Sequence, residues 1–235
     1  MKLLVCLAFA AAACLTPAVG AASDMDPGTI DIYVTPYYNS SGPQIHVGSY
    51  SDGLASSDPQ KFVATIHAMK SHWNALTFYE LYVASIRLYD LGYRNDAVYW
   101  FYTAQYRGRQ FGALVDQNKL GSIGDPGFEL FHASDAFLEL AGPNLNGYAF
   151  GHSDMLLKTV RRVQSENKSV PNMRAVYSSV TFVNPSKWPG LNAQLNAGMD
   201  KLVTYLTTQK DQLKAQREQN GTEARFAGLT SKSLP

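Results

Sequence analysis

The chain has almost no cysteine. The two it carries, Cys6 and Cys14, lie in its first 14 residues. If that stretch is removed, disulfides and thiol chemistry are excluded, and the remainder must be held by its core. Charge of one sign is also missing. Without Lys2 the balance is 19 basic against 19 acidic residues, so no general basic field draws nucleic acid or anionic lipid, and neither is expected as a partner. A bilayer span needs roughly 20 apolar residues, and no stretch reaches that length. Gly-x-Ser-x-Gly, zincin and phosphate-loop patterns are absent, so no cofactor is expected and an enzyme is the minority reading.

What the first 22 residues do contain is an export signal. A positive start at Met1-Lys2 precedes an apolar run from Leu3 to Leu15, and small residues over Ala18 to Ala22 suit a signal peptidase. A periplasmic protein is expected. Cys14 after Ala11-Ala12-Ala13 offers the alternative of a lipid anchor and a membrane-attached lipoprotein.

Residues 23–57 are rich in Gly, Ser, Asp and Pro. They read as an irregular arm in which Ile30-Ile32-Val34 and Ile45-Val47 supply a short β-hairpin at most. From Ser57-Asp58-Pro59-Gln60 the pattern is helical, giving a mostly α domain over 58–219 and a flexible polar tail over 220–235. Helices are expected from that cap to Ser71, burying Phe62, Ile66 and Met69; from Asn74 to Leu91, closed by a left-handed Gly92; and from Asp96 to Gln117. Three more follow: Phe128 to Leu140, stopped at Gly142-Pro143; Ser153 or Asp154 to Asn167; and Leu191 to Gln219, burying Leu195, Leu202, Leu206 and Leu213. Residues 168–189, punctuated by Pro171, Pro185 and Pro189, form a long connection whose Val176 to Val183 reads as a strand or a packed loop.

Residues 78–111 carry a family resemblance. Ser85, the turn Gly92-Tyr93-Arg94-Asn95-Asp96-Ala97, and the small-aromatic-small series Ala97, Phe101 and Ala104 resemble one tetratricopeptide repeat. Tyr89-Asp90-Leu91-Gly92 with Trp100-Phe101-Tyr102 is similar to the related Sel1-like repeat. Small side chains let two antiparallel helices approach while Phe101 fills the seam. Arg109 in place of a closing proline and Ala84 in place of a larger apolar residue depart from the repeat. The resemblance implies a protein-binding surface and no catalytic residues. The string Leu88 to Tyr102 in an exported helical protein also resembles bacterial envelope proteins that act as immunity proteins of secreted antibacterial toxins, which implies a toxin from a secretion system as partner.

The chain has 14 Tyr, and seven of them lie between positions 79 and 106. Tyr and Arg anchor interfaces because they bury much area and carry a polar handle. The candidate partner-binding set is therefore Tyr79, Tyr82, Arg87, Tyr93, Arg94, Tyr99, Tyr102, Tyr106, Arg107 and Arg109, with Trp188 from the 168–189 connection. Taken singly, each tyrosine is better explained as a core residue whose hydroxyl reaches the surface.

Glu129, His132, Asp135 and Glu139 share one helix face and include the Glu-x-x-His unit of di-iron bundles, but no second unit exists. A solvated polar face is the plainer reading. His67 and His72 are spaced too far around a helix to share a metal, and helix capping explains His152-Ser153-Asp154. The leading expectation is a non-enzymatic protein that neutralises a secreted toxin. An envelope scaffold or assembly factor comes second, and a metal-dependent hydrolase on Glu129 and His132 third.

Overall fold

The structure, a computed structural model, describes residues 26–30 and 47–235. The expected signal peptide, the Cys14 alternative and most of the arm with its hairpin lie outside the described residues.

The described chain is α-helical. Its helices are α1 (Ser51–Leu54), α2 (Pro59–Ser71), α3 (Phe78–Asp90), α4 (Arg94–Leu114), α5 (Pro126–Gly151), α6 (Ser153–Glu166), α7 (Met173–Val176), α8 (Trp188–Thr208), α9 (Lys210–Gln219) and α10 (Thr222–Phe226). No described helix is long and apolar enough to cross a membrane.

The centre of the molecule is the α3–α4 hairpin. Ser85, Ala97, Phe101 and Ala104 are fully buried in it, as small-residue packing requires. Gly92 turns the chain with φ +88°, a conformation only glycine adopts without strain. Helix α4 then packs against α5, α6 and α8 as well as α3, which leaves it no free face. A 21-residue helix surrounded in this way is buried on every side: Trp100, Tyr106 and Phe111 are each at most 2% exposed, and its polar Thr103, Gln105, Arg107 and Gln110 are buried with them.

Several boundaries differ from expectation, each for a physical reason. The α2 cap is Asp58, which accepts from the Gln60 amide, and not Ser57. Helix α3 starts at Phe78 instead of Asn74, because Thr77 and Glu80 form a capping box: the Glu80 amide donates to Thr77 Oγ1 at 3.2 Å and the Thr77 amide donates to Glu80 Oε2 at 2.7 Å. Helix α4 spans Arg94–Leu114 and not Asp96 to Gln117, since Val115 turns extended to bridge Phe182. Helix α5 runs through Pro143 to Gly151. The helix interior normally loses about 3 kcal/mol to a proline. Here the turns beyond it bury Leu145, Tyr148 and Ala149, and Asn144 donates to the Asp26 and Thr29 carbonyls. His152, without a side-chain cap, occupies the α6 N-cap expected of Ser153 or Asp154.

The expected long last helix starts three residues earlier, at Trp188, and breaks at Gln209 into α8 and α9. Thr204, Thr207 and Thr208 all donate their hydroxyls to carbonyls four residues back, which loosens the backbone ladder just before the break. The expected stripe of Leu195, Leu202, Leu206 and Leu213 is buried.

The tail expected to be flexible forms α10 and docks. Phe226 is 3% exposed and lies on Gly147, where a side chain would collide with its ring. Beyond it the strand of chain crosses the α3–α4 turn: the Lys232 amide donates to the Gly92 carbonyl at 2.8 Å and Arg94 Nη1 to Thr230 at 2.7 Å.

Candidate functional site

The Tyr and Arg set is brought together by the fold, but inside it. Tyr82, Tyr99, Tyr102, Tyr106 and Arg107 are buried. Burial pushes the Tyr106 hydroxyl up to about 12 and lowers the pKa of the Arg107 guanidinium. Tyr106 Oη lies within 3.2 Å of the Asn167 carbonyl, Asn192 Oδ1 and Asn196 Oδ1, and Gln110 Nε2 also donates to Asn192 Oδ1. Arg107 donates to the Trp73 and Leu76 carbonyls and lies over the Trp73 ring.

The half-buried members of the set are also engaged. Tyr79 is edge-on to Phe78, and Arg87 donates to the Leu54 carbonyl and pairs with Asp90 at 3.6 Å. Tyr93 stacks on Phe62, while Arg94 sits over Tyr89. Arg109 is half-buried beside α5, and burial lowers its pKa. Trp188 donates to the Val183 carbonyl and packs edge-on to Phe182, pinning the 168–189 connection to the body. In that connection Tyr177 reaches across to accept the Phe78 amide at 2.9 Å, and Met173, Tyr177, Val180 and Phe182 are buried. It is a packed loop with one β-bridge, not a strand. The expected surface is thus the core and its fastenings. The density of tyrosine signalled a hairpin wrapped on every side.

Glu129, His132, Asp135 and Glu139 are all exposed on one face of α5. Glu129 Oε1 accepts the Gly124 amide, and Phe128 lies against the His132 ring. No three His, Cys, Asp or Glu side chains among the described residues come close enough to hold a metal. His67 contacts the Pro235 carbonyl oxygen and His72 the Ala68 carbonyl oxygen. His152 is bonded to the Tyr148 carbonyl oxygen, and Asp154 pairs with Lys210 at 2.8 Å, so no triad forms.

The residue that sequence reasoning missed is Ile123. It is 87% exposed, the one strongly exposed large apolar side chain among the described residues. A single exposed isoleucine needs no explanation by itself. Its setting is what singles it out, because the loop that carries it is tied on both sides.

On one side Asp116 accepts from the Asn118 amide, and the Lys119 amide returns to the Asp116 carbonyl. On the other, the Asp125 amide donates to the Ser122 carbonyl, and the Gly124 amide to Glu129 Oε1 at 2.9 Å. Gly124 has φ +94°, which sets the turn that leaves Ile123 outward. Asp125 then caps α5 by accepting the Phe128 amide.

Asp116, Asp125 and Glu129 flank this tip along the chain, with Lys119 paired to Asp116 at 4.0 Å, and Asp135, which faces Arg109, and Glu139 continue the acidic face further along α5. Half-buried Leu120, Phe128 and Phe131 extend the apolar character beneath it. A fixed apolar knob within an acidic field is a shape and a charge that a basic protein surface with an apolar pocket complements. The signal in the sequence is Leu120-Gly-Ser-Ile-Gly-Asp-Pro: an isoleucine between turn-forming residues, where no core is in reach.

No family model matches the chain, and no solved structure matches it significantly. It is similar to an uncharacterized protein of Haemophilus influenzae, at 24% identity over 212 residues, covering 84% of this chain and 78% of that protein.

Proposed function

We propose that this chain is an exported, non-enzymatic binding protein of the cell envelope that neutralises a secreted antibacterial toxin. Its leader at 1–22 directs it to the periplasm. It holds its partner through the Ile123 loop and the acidic face of α5, and not through the tyrosine hairpin. The observation that supports this is the presentation of Ile123: an apolar side chain held in solvent by hydrogen bonds on both sides has its ordering cost met before binding. The acidic field around it favours fast capture of a basic target.

The test is competition between a strain lacking this chain and its parent. The deletion strain is outgrown on contact, wild-type sequence restores it, and Ile123→Asp restores it poorly although the variant accumulates normally. Equal growth of deletion strain and parent would refute the toxin reading.

A further inference from the structure

Residues 26–30 and 230–232 stand at opposite extremes of the described chain, yet both lie against the α3–α4 turn and share one side chain. Arg94 Nη2 donates to the Gly28 carbonyl at 3.4 Å, and Arg94 Nη1 donates to the Thr230 carbonyl at 2.7 Å. We propose that the two segments form one latch, clasped by the Arg94 guanidinium, which opens as a unit while the helical body stays folded. Whatever takes hold of one segment then loosens the other.

Arg94 is placed for the clasp at the expense of its own helix. It is the first residue of α4, where a cation opposes the helix dipole. The Tyr89 ring lies 5.3 Å from its guanidinium, and the same tyrosine donates its hydroxyl to the Pro27 carbonyl at 2.7 Å. Tyr89 thus orients the clasp and holds the first segment at once. A β-carbon on Gly28 would stand 3.5 Å from Arg94 Nη2, so glycine lets that segment lie close to the guanidinium.

The rest of each segment is held by polar contacts. Asn144 donates to the Asp26 and Thr29 carbonyls, and the Ile30 amide donates to Asp90 Oδ1 at 2.9 Å. On the other side the Lys232 amide donates to the Gly92 carbonyl at 2.8 Å, and the Asn95 amide donates to Ser231 Oγ at 2.9 Å. Both sets end on the same turn.

Neither segment belongs to a helix, and Ile30 is the one buried apolar side chain in the two. Segments with so little buried apolar area sit at the low end of local stability. The planar guanidinium makes their opening cooperative. Once one carbonyl departs, the group is free to turn over Tyr89, and the other bond loses its alignment.

The test is native-state hydrogen exchange of the mature full chain, read at the amides of residues 30, 95 and 232, with Phe101 in the buried middle of α4 as control. Ile30→Ala weakens only the first segment directly. It is expected to speed exchange at Asn95 and Lys232 as well as at residue 30, by about fivefold or more, with Phe101 unchanged. Lys232→Ala, which removes the Nζ bond to the Leu91 carbonyl, should speed exchange at Ile30. Arg94→Gln, with the helical spectrum of the wild type, should speed exchange in both segments and confine the effect of Ile30→Ala to the first. Wild-type exchange at Lys232 in the Ile30→Ala chain, equal acceleration at Phe101, or an undiminished effect of Ile30→Ala on Lys232 in the Arg94→Gln chain would overturn the proposal.

Discussion

Tyr106 and Tyr82 are both buried, yet their hydroxyls are in opposite situations. Tyr106 Oη sits among the Asn167, Asn192 and Asn196 oxygens, whereas Tyr82 Oη is buried with only the Ser134 hydroxyl beside it and no well-aligned hydrogen bond. Removing a satisfied buried hydroxyl leaves its partners stranded, and removing an unsatisfied one relieves a cost. Tyr106→Phe should therefore lower stability by about 1–2 kcal/mol, and Tyr82→Phe should leave it unchanged or raise it. Urea titration of both variants separates the two cases. A Tyr82→Phe loss as large as that of Tyr106→Phe would mean that the Tyr82 hydroxyl has a partner after all. At the surface the same scale singles out Ile123, whose replacement should change binding and not stability, because it touches no core.

Among the elements, α10 decides whether the C-terminus belongs to the fold. Phe226 lies on Gly147, and Arg217 reaches from α9 to the Gly147 carbonyl, so the small residues of α5 receive both. Phe226→Ala should cost about 3 kcal/mol, in the range of buried aromatic truncations. Gly147→Ala, which meets the Phe226 ring, should cost about 1–3 kcal/mol by overpacking. Chemical denaturation measures both, and unchanged midpoints would show that the C-terminal segment is a loose appendage.

The sequence made some elements legible and hid others. The buried faces of α2 and α8 follow the 3.6-residue period, and the Gly92 turn needed a positive φ, so these were visible. The Thr77 to Glu80 capping box, which sets the start of α3, is also written in the sequence. Pro143 misled because local propensity says nothing of what the next two turns bury. The tyrosines misled for a related reason: the amphipathic appearance of one hairpin does not tell how many neighbours cover it. Ile123 went unnoticed because one apolar residue in a loop has no periodicity.

For the molecule as a whole, the concentration of tyrosine in the core makes stability depend on alkaline pH. Burial raises the pKa of Tyr82, Tyr89, Tyr99, Tyr106 and Tyr177 above the ordinary value, with Tyr106 pushed up to about 12. In the unfolded chain each ionises near pH ~10. The native state thus keeps protons that the unfolded state has already lost, and this stabilisation is intact below pH ~10 and falls as pH rises above it. Each such tyrosine costs up to about 1.4 kcal/mol per pH unit there. Cooperative unfolding is expected between about pH 10 and 12, with tyrosinate absorbance near 295 nm rising together with loss of helical signal. Ionisation of most tyrosines near pH ~10 with the helices intact would contradict a tyrosine core.

The proposed grip on one protein partner runs through the Ile123 loop. The most direct measurement places a photo-crosslinking amino acid at position 123 in the native strain, with the same residue at exposed Gln194 as comparison. One discrete protein adduct is expected from position 123, lost when Glu129, Asp135 and Glu139 are changed to lysine and not formed from position 194. No adduct from position 123, or the same adducts from both positions, would contradict it.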